Sequence, residues 1–402
     1  MADARADNVR STPRWFEAFY VILKRIERGR LEIILPDGRM YPAEGSRPGP
    51  TAQIIVKDPD FFARMVRQGE MGFCEMYVEG GWTTPDLQSL FDLIMLNNDG
   101  LGRGFPGAVF LRLYERARHL LRSNSKSGSK RNISHHYDLG NSFYGLWLDE
   151  TMTYSSALFS GQGEELAAAQ ANKYAAICDR IGVKPDDHIL EIGCGWGGFA
   201  EYAIRERGAR VTGLTLSREQ HDFAQARLQA AGLAERAEIV IRDYREERGR
   251  YDGVASIEMF EAVGERYWPL FFGTLRDRLR PEGHAALQVI TIADKLFESY
   301  RKGTDFIQKY IFPGGMLPSP SALRAEAQRV GLSVGGSTEF GESYSQTLRL
   351  WRERFNERWD EVRELGFDDR FHRMWNLYLA SCAACFLAGT TDVTQITFSR
   401  SG

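Results

Sequence analysis

Four glycines set between two apolar runs constrain this sequence more than any other feature. The stretch from His188 to Ser217 reads HILEIGCGWGGFAEYAIRERGARVTGLTLS. Ile189–Ile192 has the length of a buried strand, Phe199–Arg207 predicts a helix, and Arg210–Leu216 predicts a second strand. The glycine-rich turn joins the first strand to the helix. This βαβ unit therefore lets a ligand approach the backbone at a helix N-terminus.

Two classes of cofactor compete for this turn. Gly193, Gly195 and Gly198 have the spacing of a dinucleotide fingerprint. That fingerprint also needs an acid at the end of the second strand, where residues 213–215 are Gly-Leu-Thr. Methyltransferases that use S-adenosylmethionine resemble this turn and carry an acid two residues before the first glycine, as Glu191 does here. A turn without any ligand is the third interpretation, although its glycines cost backbone entropy. The sequence favours S-adenosylmethionine.

Length and charge limit the class of protein. The 402 residues predict two to three domains on a prior of roughly 150 residues each, and the net charge of -3 argues against a nucleic-acid binder. No apolar run is long enough to span a bilayer, and the segment MADARADNVRSTPRW lacks the apolar core of a secretory signal. The odd number of cysteines, 5, fits a reducing cytoplasm, and the histidines show no familiar zinc spacing, so we expect no metal.

The first part of the chain predicts a small α/β domain, which we assign to residues 1–122. It offers no catalytic constellation of its own. The predicted elements are helices at Arg14–Glu27, Asp60–Gln68 and Pro85–Leu96, and strands at Arg30–Leu35 and Gln53–Val56.

Arginines accumulate before the predicted domain boundary. Arg112, Arg116 and Arg118 stand among apolar residues, and the SNSKSGSKRN that follows has the composition of a flexible linker, assigned to 123–132. Such a basic amphipathic segment can dock on an anionic bilayer, but a solvated helix with a tether explains the same pattern. The second domain is assigned to 133–402.

Strands and helices alternate after the glycine turn. Further strands are predicted at Glu238–Arg242, Tyr251–Ile257 and Ala285–Ile292. This rhythm predicts a doubly wound parallel sheet, whose ligands bind beyond the carboxyl ends of the strands. The residues predicted at such ends are Gly193, Thr215, Asp243, Glu261 and Gln288.

A ring-rich segment precedes this sheet. Residues 133–159 hold eight aromatic or imidazole rings, and polar residues are interleaved with them, which predicts a cofactor lid more than a uniform core. The rings are His135, His136, Tyr137, Phe143, Tyr144, Trp147, Tyr154 and Phe159, and the polar residues include Asp138, Asn141, Ser155 and Ser156.

Seven stretches, in order, resemble the cyclopropane-fatty-acyl-phospholipid synthases and the related mycolic acid cyclopropane synthases. They are HHYDLGNSFY, TYSSALF, LEIGCGWGG, GLTLSREQ, MFEAVG, KYIFPGGMLPS and YLASCAACF. The resemblance runs from Ile133 to Arg400, and the first domain is more loosely similar to the N-terminal domain of the phospholipid-acting branch. It implies a class I S-adenosylmethionine-dependent methyltransferase fold, a Rossmann-like doubly wound sheet preceded by a smaller α/β domain.

The implied reaction is methyl transfer to a cis double bond in an unsaturated phospholipid acyl chain. Alignment must supply much of the rate because an alkene is a poor nucleophile, and aromatic faces stabilise the resulting carbocation. Loss of a proton from the new methyl group closes a cyclopropane ring, with bound bicarbonate as the base in this family. The resemblance also suggests a homodimer that works in the cytoplasm, peripherally attached to the inner face of the membrane, with no nucleic acid.

The resemblance assigns roles position by position. Cys382 matches a cysteine proposed as catalytic, although a small buried hydrophobe on a helix explains it equally well. Tyr137 is expected to line the reaction pocket. The bicarbonate site falls on Ser156, Glu261, Gln288, Ile290 and Tyr344. The cofactor site falls on Tyr154, Ser155, Glu191, Gly193, Cys194, Gly195, Thr215, Leu216, Gln220, Asp243 (toward the adenine amino group) and Tyr244.

Three positions depart from the family pattern. Ser156 stands where the family has cysteine, and Gln288 and Ala262 stand where it has histidine. Serine and glutamine still donate hydrogen bonds to an anion, but the titratable histidine is absent. Glu258 adds a carboxylate near Glu261, and two close carboxylates raise one pKa, which makes one of them a candidate base. Cyclopropane formation, which the resemblance implies, is the first prediction. The three departures motivate the alternative, a methyl- or methylene-branched unsaturated chain.

Two other functions are open at this point. A nicotinamide-dependent oxidoreductase would explain the glycine spacing but would leave the ring-rich segment unused. A non-catalytic lipid-binding module would explain the altered anion site.

Overall fold

The computed structural model describes residues 12–101 and 139–400. The chain folds as two compact units, Met1–Leu113 with Arg373–Leu377, and Tyr114–His372 with Tyr378–Gly402. The predicted linker 123–132, the basic segment that precedes it and Tyr137 all lie outside the described residues. The predicted domain boundary therefore stays a prediction.

The first unit is built on a four-stranded sheet of order β2-β1-β3-β4. β1 pairs with β2 antiparallel and with β3 parallel, and β4 closes the edge antiparallel to β3. The strand β2 was not predicted from the sequence; it contains Pro42 and lies at the edge of the sheet, where a proline is tolerated. The strands are β1 (Arg28–Ile34), β2 (Met40–Glu44), β3 (Arg47–Val56) and β4 (Trp82–Thr83), and the helices are α1 (Phe16–Leu23), α2 (Phe61–Val78), α3 (Leu87–Leu96) and α4 (Asn98–Leu101).

Aromatic rings fill the core of this unit. Phe16 meets Phe62 edge-on with ring centroids 5.2 Å apart, and Phe73 stacks on Trp82 at 4.3 Å. Buried Asn97, at the end of α3, ties that helix to the sheet. Its Oδ1 accepts hydrogen bonds from the amides of Glu27 and Arg28 at 2.8 and 3.0 Å, and its Nδ2 donates to the carbonyls of Arg28 and Leu93.

The second unit is built on a seven-stranded sheet of order β10-β11-β9-β8-β5-β6-β7. The strands from β9 through β7 are parallel, and β11 runs antiparallel to both of its neighbours. The doubly wound sheet predicted from the sequence is confirmed. The strands are β5 (His188–Ile192), β6 (Arg210–Thr215), β7 (Ala237–Ile241), β8 (Tyr251–Ile257), β9 (Leu279–Ile292), β10 (Leu332–Glu339) and β11 (Thr391–Arg400).

Helices cover both faces of this sheet, which explains why its central strands are apolar almost without interruption. Consecutive residues of β5 belong to different cores, Ile189 to one and Leu190 to the other, because side chains alternate along a strand. Counted over the described residues, the helices are α5 (Asn141–Gly145), α6 (Leu166–Ile181), α7 (Gly198–Arg207), α8 (Arg218–Ala230), α9 (Trp268–Arg278), α10 (Asp294–Tyr300), α11 (Pro320–Arg329), α12 (Gly341–Glu357), α13 (Trp359–Glu364) and α14 (Asp369–Leu387).

Two local features interrupt the regular helices. The helical stretch after β10 breaks at Arg358, where α12 ends and α13 begins. Ile307–Ile311 forms one π-helical turn. Within residues 12–101 and 139–400, the helices are all too short or too polar to cross a membrane.

Replacing Asn97 by alanine tests the first unit. We expect Asn97→Ala to cost about 2–4 kcal/mol, because several buried backbone groups lose their partners at roughly 1–3 kcal/mol each. Hydrogen-exchange mass spectrometry should show faster exchange in peptides from β1 and β3, with β5 and β6 unchanged. Asn97→Asp keeps the acceptor and should lose less. Unchanged protection of β1 in Asn97→Ala would contradict this role.

Candidate active site

The carboxyl ends of the parallel strands meet at one edge of the large sheet. Gly193, Thr215, Asp243 and Glu261 follow or close β5, β6, β7 and β8, as predicted. Gln288 was predicted at a strand end but lies inside β9, which continues to Ile292. It pairs with Ile257, the last residue of β8, so it is level with the neighbouring ends. The predicted residues therefore share one edge of the sheet.

Backbone geometry requires the glycines of the turn after β5. The amides of Gly193 and Cys194 both donate to the carbonyl of Leu214, at 3.0 and 2.9 Å, which joins the turn to β6. Gly193, Gly195 and Gly197 have φ of 88°, 51° and 84°, in the left-handed region. A Cβ on Gly193 would lie 2.7 Å from the Cγ of Met259. A Cβ on Gly195 would meet nothing within 4 Å, so at this residue the turn forms an open cradle before the N-terminus of α7.

Glu191 lies beneath this cradle and is 2% exposed. Its Oε2 has no hydrogen-bond partner among the described residues. Burial raises the pKa of its carboxyl to about 8, and the ammonium of Lys173 opposes that rise. A buried polar atom without a partner beside an open backbone cradle is the arrangement that a polar ligand completes.

The next two strand ends hold the other predicted cofactor residues. The hydroxyl of Thr215 donates to Oε1 of Gln220 at 2.8 Å and accepts from the amide of Ser217, beside the half-buried Leu216. Both carboxylate oxygens of Asp243 bind the guanidinium of Arg245, at 2.8 and 2.5 Å. Tyr244 is buried, and its ring packs on Phe271 with centroids 5.5 Å apart. The predicted contact of Asp243 with adenine stays a prediction.

Residues 153–159 cross this edge as a strap held from several elements. Ser155 is fixed by α6, since Gln170 donates to its carbonyl at 3.1 Å and Lys173 donates to its Oγ at 2.7 Å. Farther along, the amides of Ala157 and Phe159 donate to hydroxyls of α12. The strap therefore connects the predicted cofactor residues to the predicted reaction site.

Glu258 is the centre of the predicted anion site. Its Oε1 accepts hydrogen bonds at 2.8 Å from the amide of Ser156 and at 2.8 Å from Nε2 of Gln288, and its carboxylate also accepts from the hydroxyl of Tyr344. Gln288 is held in place by Gln395, which donates to its Oε1 at 3.0 Å. Glu258 has φ of 48°, which is rare outside glycine. Three of the five residues predicted to hold bicarbonate thus bind a carboxylate of the chain itself.

Ser156 contributes to this site through its backbone. Its hydroxyl donates to the carbonyl of Ala157 at 2.8 Å, while its amide donates to Glu258 and its carbonyl accepts from Gln288. The sequence had predicted the hydroxyl as the donor.

The other two predicted bicarbonate residues pair with each other. The amide of Ile290 donates to Oε1 of Glu261 at 2.5 Å, while Oε2 has no partner within the described part of the chain. Burial, and after it the charge of Glu258, raises the pKa of Glu261 to about 8. Burial also raises the pKa of Glu258, against the attraction of Lys173. Two carboxyls with raised pKa values at a strand edge are candidates for proton transfer.

Aromatic rings line the same region. The hydroxyl groups of Tyr154 and Tyr378 lie 2.9 Å apart. The ring of Trp351 lies 5.3 Å from that of Tyr154 and 6.1 Å from that of Tyr344, which links the two predicted sites. Tyr154 also packs on Tyr144 at 5.3 Å. Such faces attract a positive charge at centroid distances within about 6 Å.

Tyr137 and Cys382 are the remaining predicted residues. Tyr137 lies outside the described residues. Cys382 lies on α14 near Tyr344 and Tyr378, and burial raises the pKa of its thiol well above the ordinary value, so it is a neutral thiol at physiological pH. A neutral thiol is a poor nucleophile. Its catalytic role stays a prediction.

Sequence reasoning missed Lys173. This side chain is 0% exposed and lies on α6 among the buried residues Ala169, Gln170 and Ile177. Helical spacing could have indicated its burial. Lys173 lies three or four positions from each of these residues, and residues at that spacing share one face of a helix.

The strand order, with one antiparallel strand and a glycine turn after the first parallel strand, is that of the class I S-adenosylmethionine-dependent methyltransferases. A solved mycolic acid cyclopropane synthase, CmaA1 complexed with SAH and CTAB, superposes with a TM-score of 0.63 at 28% identity. The match covers 67% of this chain and 97% of that one. These relatives are methyltransferases, and the acidic residue that would bind the ribose of a dinucleotide is missing at the end of β6. We therefore set aside the interpretation of the glycine turn as a dinucleotide site.

Curated relatives match nearly the whole chain. The tuberculostearic acid methyltransferase UfaA1 of Mycobacterium tuberculosis is 40% identical over 394 residues, 92% of this chain and 88% of that protein. The cyclopropane-fatty-acyl-phospholipid synthase of Escherichia coli K12 is 34% identical over 381 residues, 92% of this chain and 96% of that protein. A profile of the mycolic acid cyclopropane synthetase family matches residues 124–396. The chain belongs to this family of S-adenosylmethionine-dependent lipid methyltransferases.

Gly193→Ala tests the cradle. The added Cβ meets Met259 and the left-handed φ disfavours any side chain, so we expect the affinity for S-adenosylhomocysteine to fall at least about tenfold. Isothermal titration calorimetry measures it. Gly161→Ala is the matched control, since its Cβ meets nothing within 4 Å. Equal affinities in the two variants would remove the turn from the binding site.

Glu191→Gln tests the buried carboxyl through stability. The pKa of this carboxyl is about 8 in the folded protein and 4.5 for an ordinary glutamate, so between these pH values the folded state holds a proton that the unfolded state has released. Stability is highest below the unfolded pKa and falls as pH rises toward the folded pKa. Urea titrations between pH 5 and 7 give the free energy of unfolding at each pH. In Glu191→Gln this free energy should fall with pH less steeply than in the wild type, by up to about 1.4 kcal/mol per pH unit. The exposed Glu206→Gln should keep the wild-type pH dependence, and an unchanged pH dependence in Glu191→Gln would mean that the carboxyl of Glu191 is ionised in the folded protein.

Proposed function

We propose that this protein transfers the methyl group of S-adenosylmethionine to the double bond of an unsaturated phospholipid acyl chain, with Glu258 as the base that removes the final proton. The observation that carries this proposal is the Glu258 carboxylate, which accepts hydrogen bonds from Ser156 and Gln288 at 2.8 Å inside the predicted bicarbonate site. The names of both whole-chain relatives support a fatty-acyl substrate.

The reaction is balanced by one proton transfer. S-adenosylmethionine supplies an electrophilic methyl group, whose bond electrons stay on sulfur while the alkene electrons form the new carbon–carbon bond. The neighbouring carbon is left positively charged. Loss of a proton from the methyl-bearing carbon gives a methyl-branched alkene. A 1,2-hydride shift from the methyl-bearing carbon to the cationic carbon, followed by loss of a proton from the new methyl group, gives a methylene-branched chain. In both cases the electrons of the broken C–H bond form the new double bond, and the proton passes to the Glu258 carboxylate and on to water.

The aromatic lining supports the cationic step. Tyr154, Trp351 and Tyr344 form a continuous set of rings between the predicted cofactor residues and Glu258. Ring faces stabilise a cation by about 2 kcal/mol or more where water is excluded. The aromatic rings therefore stabilise the carbocation while it exists, and the Glu258 carboxylate then removes the proton that neutralises it.

The proposed product is a methyl- or methylene-branched unsaturated chain. The Glu258 carboxylate is held by three hydrogen-bond donors and can remove only a proton that lies within its reach. A bound bicarbonate could move with the new methyl group, but a fixed carboxylate cannot. The 40% identity to a tuberculostearic acid methyltransferase supports this product. Cyclopropane is the second candidate, supported by the relative from Escherichia coli. We also propose that the acyl chains are reached at the membrane surface, through the basic segment of the first domain.

Product analysis decides between these candidates. Lipids from a strain that expresses the protein are compared with those of an empty-vector strain by mass spectrometry and proton NMR. We expect a mass gain of one CH2 unit, with the proton signal of a methyl group on a double bond or of a terminal =CH2 group. High-field ring protons would identify cyclopropane and overturn the branched product. No transfer of a methyl label to acyl chains would overturn the function.

Glu258 variants test the base. Glu258→Gln should lower methyl-label transfer about 10²–10⁴-fold, the usual contribution of a general base. Glu258→Gly suits the positive φ and opens the anion site, so added bicarbonate should restore part of the rate to this variant only. The wild type should not depend on bicarbonate, and the exposed Glu206→Gln should behave as the wild type. Full activity of Glu258→Gln, or a wild type that requires bicarbonate, would exclude Glu258 as the base.

A further inference from the structure

Lys173 is a fully buried ammonium group in the middle of the site. It is 0% exposed, and its Nζ donates to Oγ of Ser155 at 2.7 Å and lies 4.8 Å from the ring centroid of Tyr174. The carboxylates that act on it are those of Glu258, Asp149 and Glu191. The functional residues predicted from the sequence do not include it.

Burial of this charge needs a reason. An ammonium group removed from water loses several kcal/mol of hydration, which a well-placed opposite charge must offset. Burial lowers the pKa of Lys173 to about 7, and the nearby carboxylates oppose that change. A methionine of similar length would fill the same space without this cost. Packing alone therefore does not account for a lysine at this position.

The same ammonium acts on two sides of the site. On one side it holds the hydroxyl of Ser155, which is predicted to contact the cofactor. On the other side it is the basic group that stabilises the ionised forms of both Glu258 and Glu191. The remaining groups that face Glu258 are Ser156, Gln288, Tyr344 and the second carboxylate, Glu261.

We propose that Lys173 is a positioning residue for methyl transfer, which orients the Ser155 hydroxyl toward the cofactor and supplies the counter-charge of the Glu258 carboxylate. The inference rests on the proposed role of Glu258 as the base. Without a positive charge beside it, a carboxylate among aromatic rings binds a proton more tightly and cannot accept the one released by the substrate. Lys173 thus acts through Glu258 and Ser155 and does not touch the reacting atoms.

The pH profile of methyl-label transfer distinguishes this role from a structural one. Protonation of Glu258 gives the acid limb of kcat/KM, and a nearby positive charge lowers the pKa of a carboxyl by about 1–3 units. Lys173→Met should therefore move the acid limb to higher pH by about one to three units. Lys173→Arg keeps the charge and should hold the limb near its wild-type position even if the rate falls. The exposed Lys184→Met is the control.

A second measurement does not depend on the acyl substrate. Calorimetric titration with S-adenosylhomocysteine should give roughly tenfold weaker binding in Lys173→Met, about 1.4 kcal/mol, and unchanged binding in Lys184→Met. Circular dichroism establishes that each variant is folded; should Lys173→Met not fold, Lys173→Gln and Lys173→Arg are compared in the same way. If the wild type transfers no label, the proposed function fails while this measurement still tests the link to Ser155.

Two outcomes would overturn the inference. One is a rate loss in Lys173→Met that is equal at all pH values, with an unchanged acid limb, since this is the signature of a structural residue. The other is binding of S-adenosylhomocysteine equal to that of the wild type together with an unchanged limb. A shifted limb in Lys173→Met and a wild-type limb in Lys173→Arg would support the counter-charge.

Discussion

The cost of withdrawing carboxylates from water governs the carboxyl edge of the large sheet. Glu191, Glu258 and Glu261 all have raised pKa values there, and burial is the largest cause for each. The positive charge of Lys173 lowers the pKa of Glu191 and of Glu258, which opposes part of the rise. The negative charge of Glu258 raises the pKa of Glu261 further. Burial therefore favours the neutral, protonated form of all three carboxyls, and Lys173 offsets part of that effect at Glu191 and Glu258.

The strap of residues 153–159 makes this edge a single site. Its successive residues are tied to different elements, Ser155 to α6, Ser156 to the end of β8 and to β9, and Ala157 to α12. A displacement of the strap would change the contacts of the cofactor residues and of Glu258 together. The strap therefore links the predicted cofactor residues to Glu258. Under the proposed function, this link suits a reaction in which a cation must form only when a base is in place.

The sequence predicted the parts of this protein that depend on local pattern. The glycine turn and the alternation of strands and helices gave the sheet, and the acid at Glu191 gave the cofactor class. It missed what depends on distant pairing. Ser156 and Glu258 are 102 residues apart, so their hydrogen bond could not be read from either stretch, and the sequence coupled Glu258 only to its neighbour Glu261. Lys173 was overlooked because helix periodicity predicts burial but not the charge of the groups it will meet.

The backbone at Glu258 gives the last reason to regard its carboxylate as functional. A non-glycine residue with φ of 48° is strained by roughly 1–2 kcal/mol, and a glycine would fit this turn without that strain. The side chain also loses hydration, since burial raises its pKa. Both costs fall on one residue, and the compensation is three hydrogen bonds that would otherwise hold a free anion. A tethered anion differs from a free one in that it cannot leave or turn. With Glu258 as the proposed base, the position of its carboxylate relative to the bound chain decides which C–H bond is broken, and with it the product.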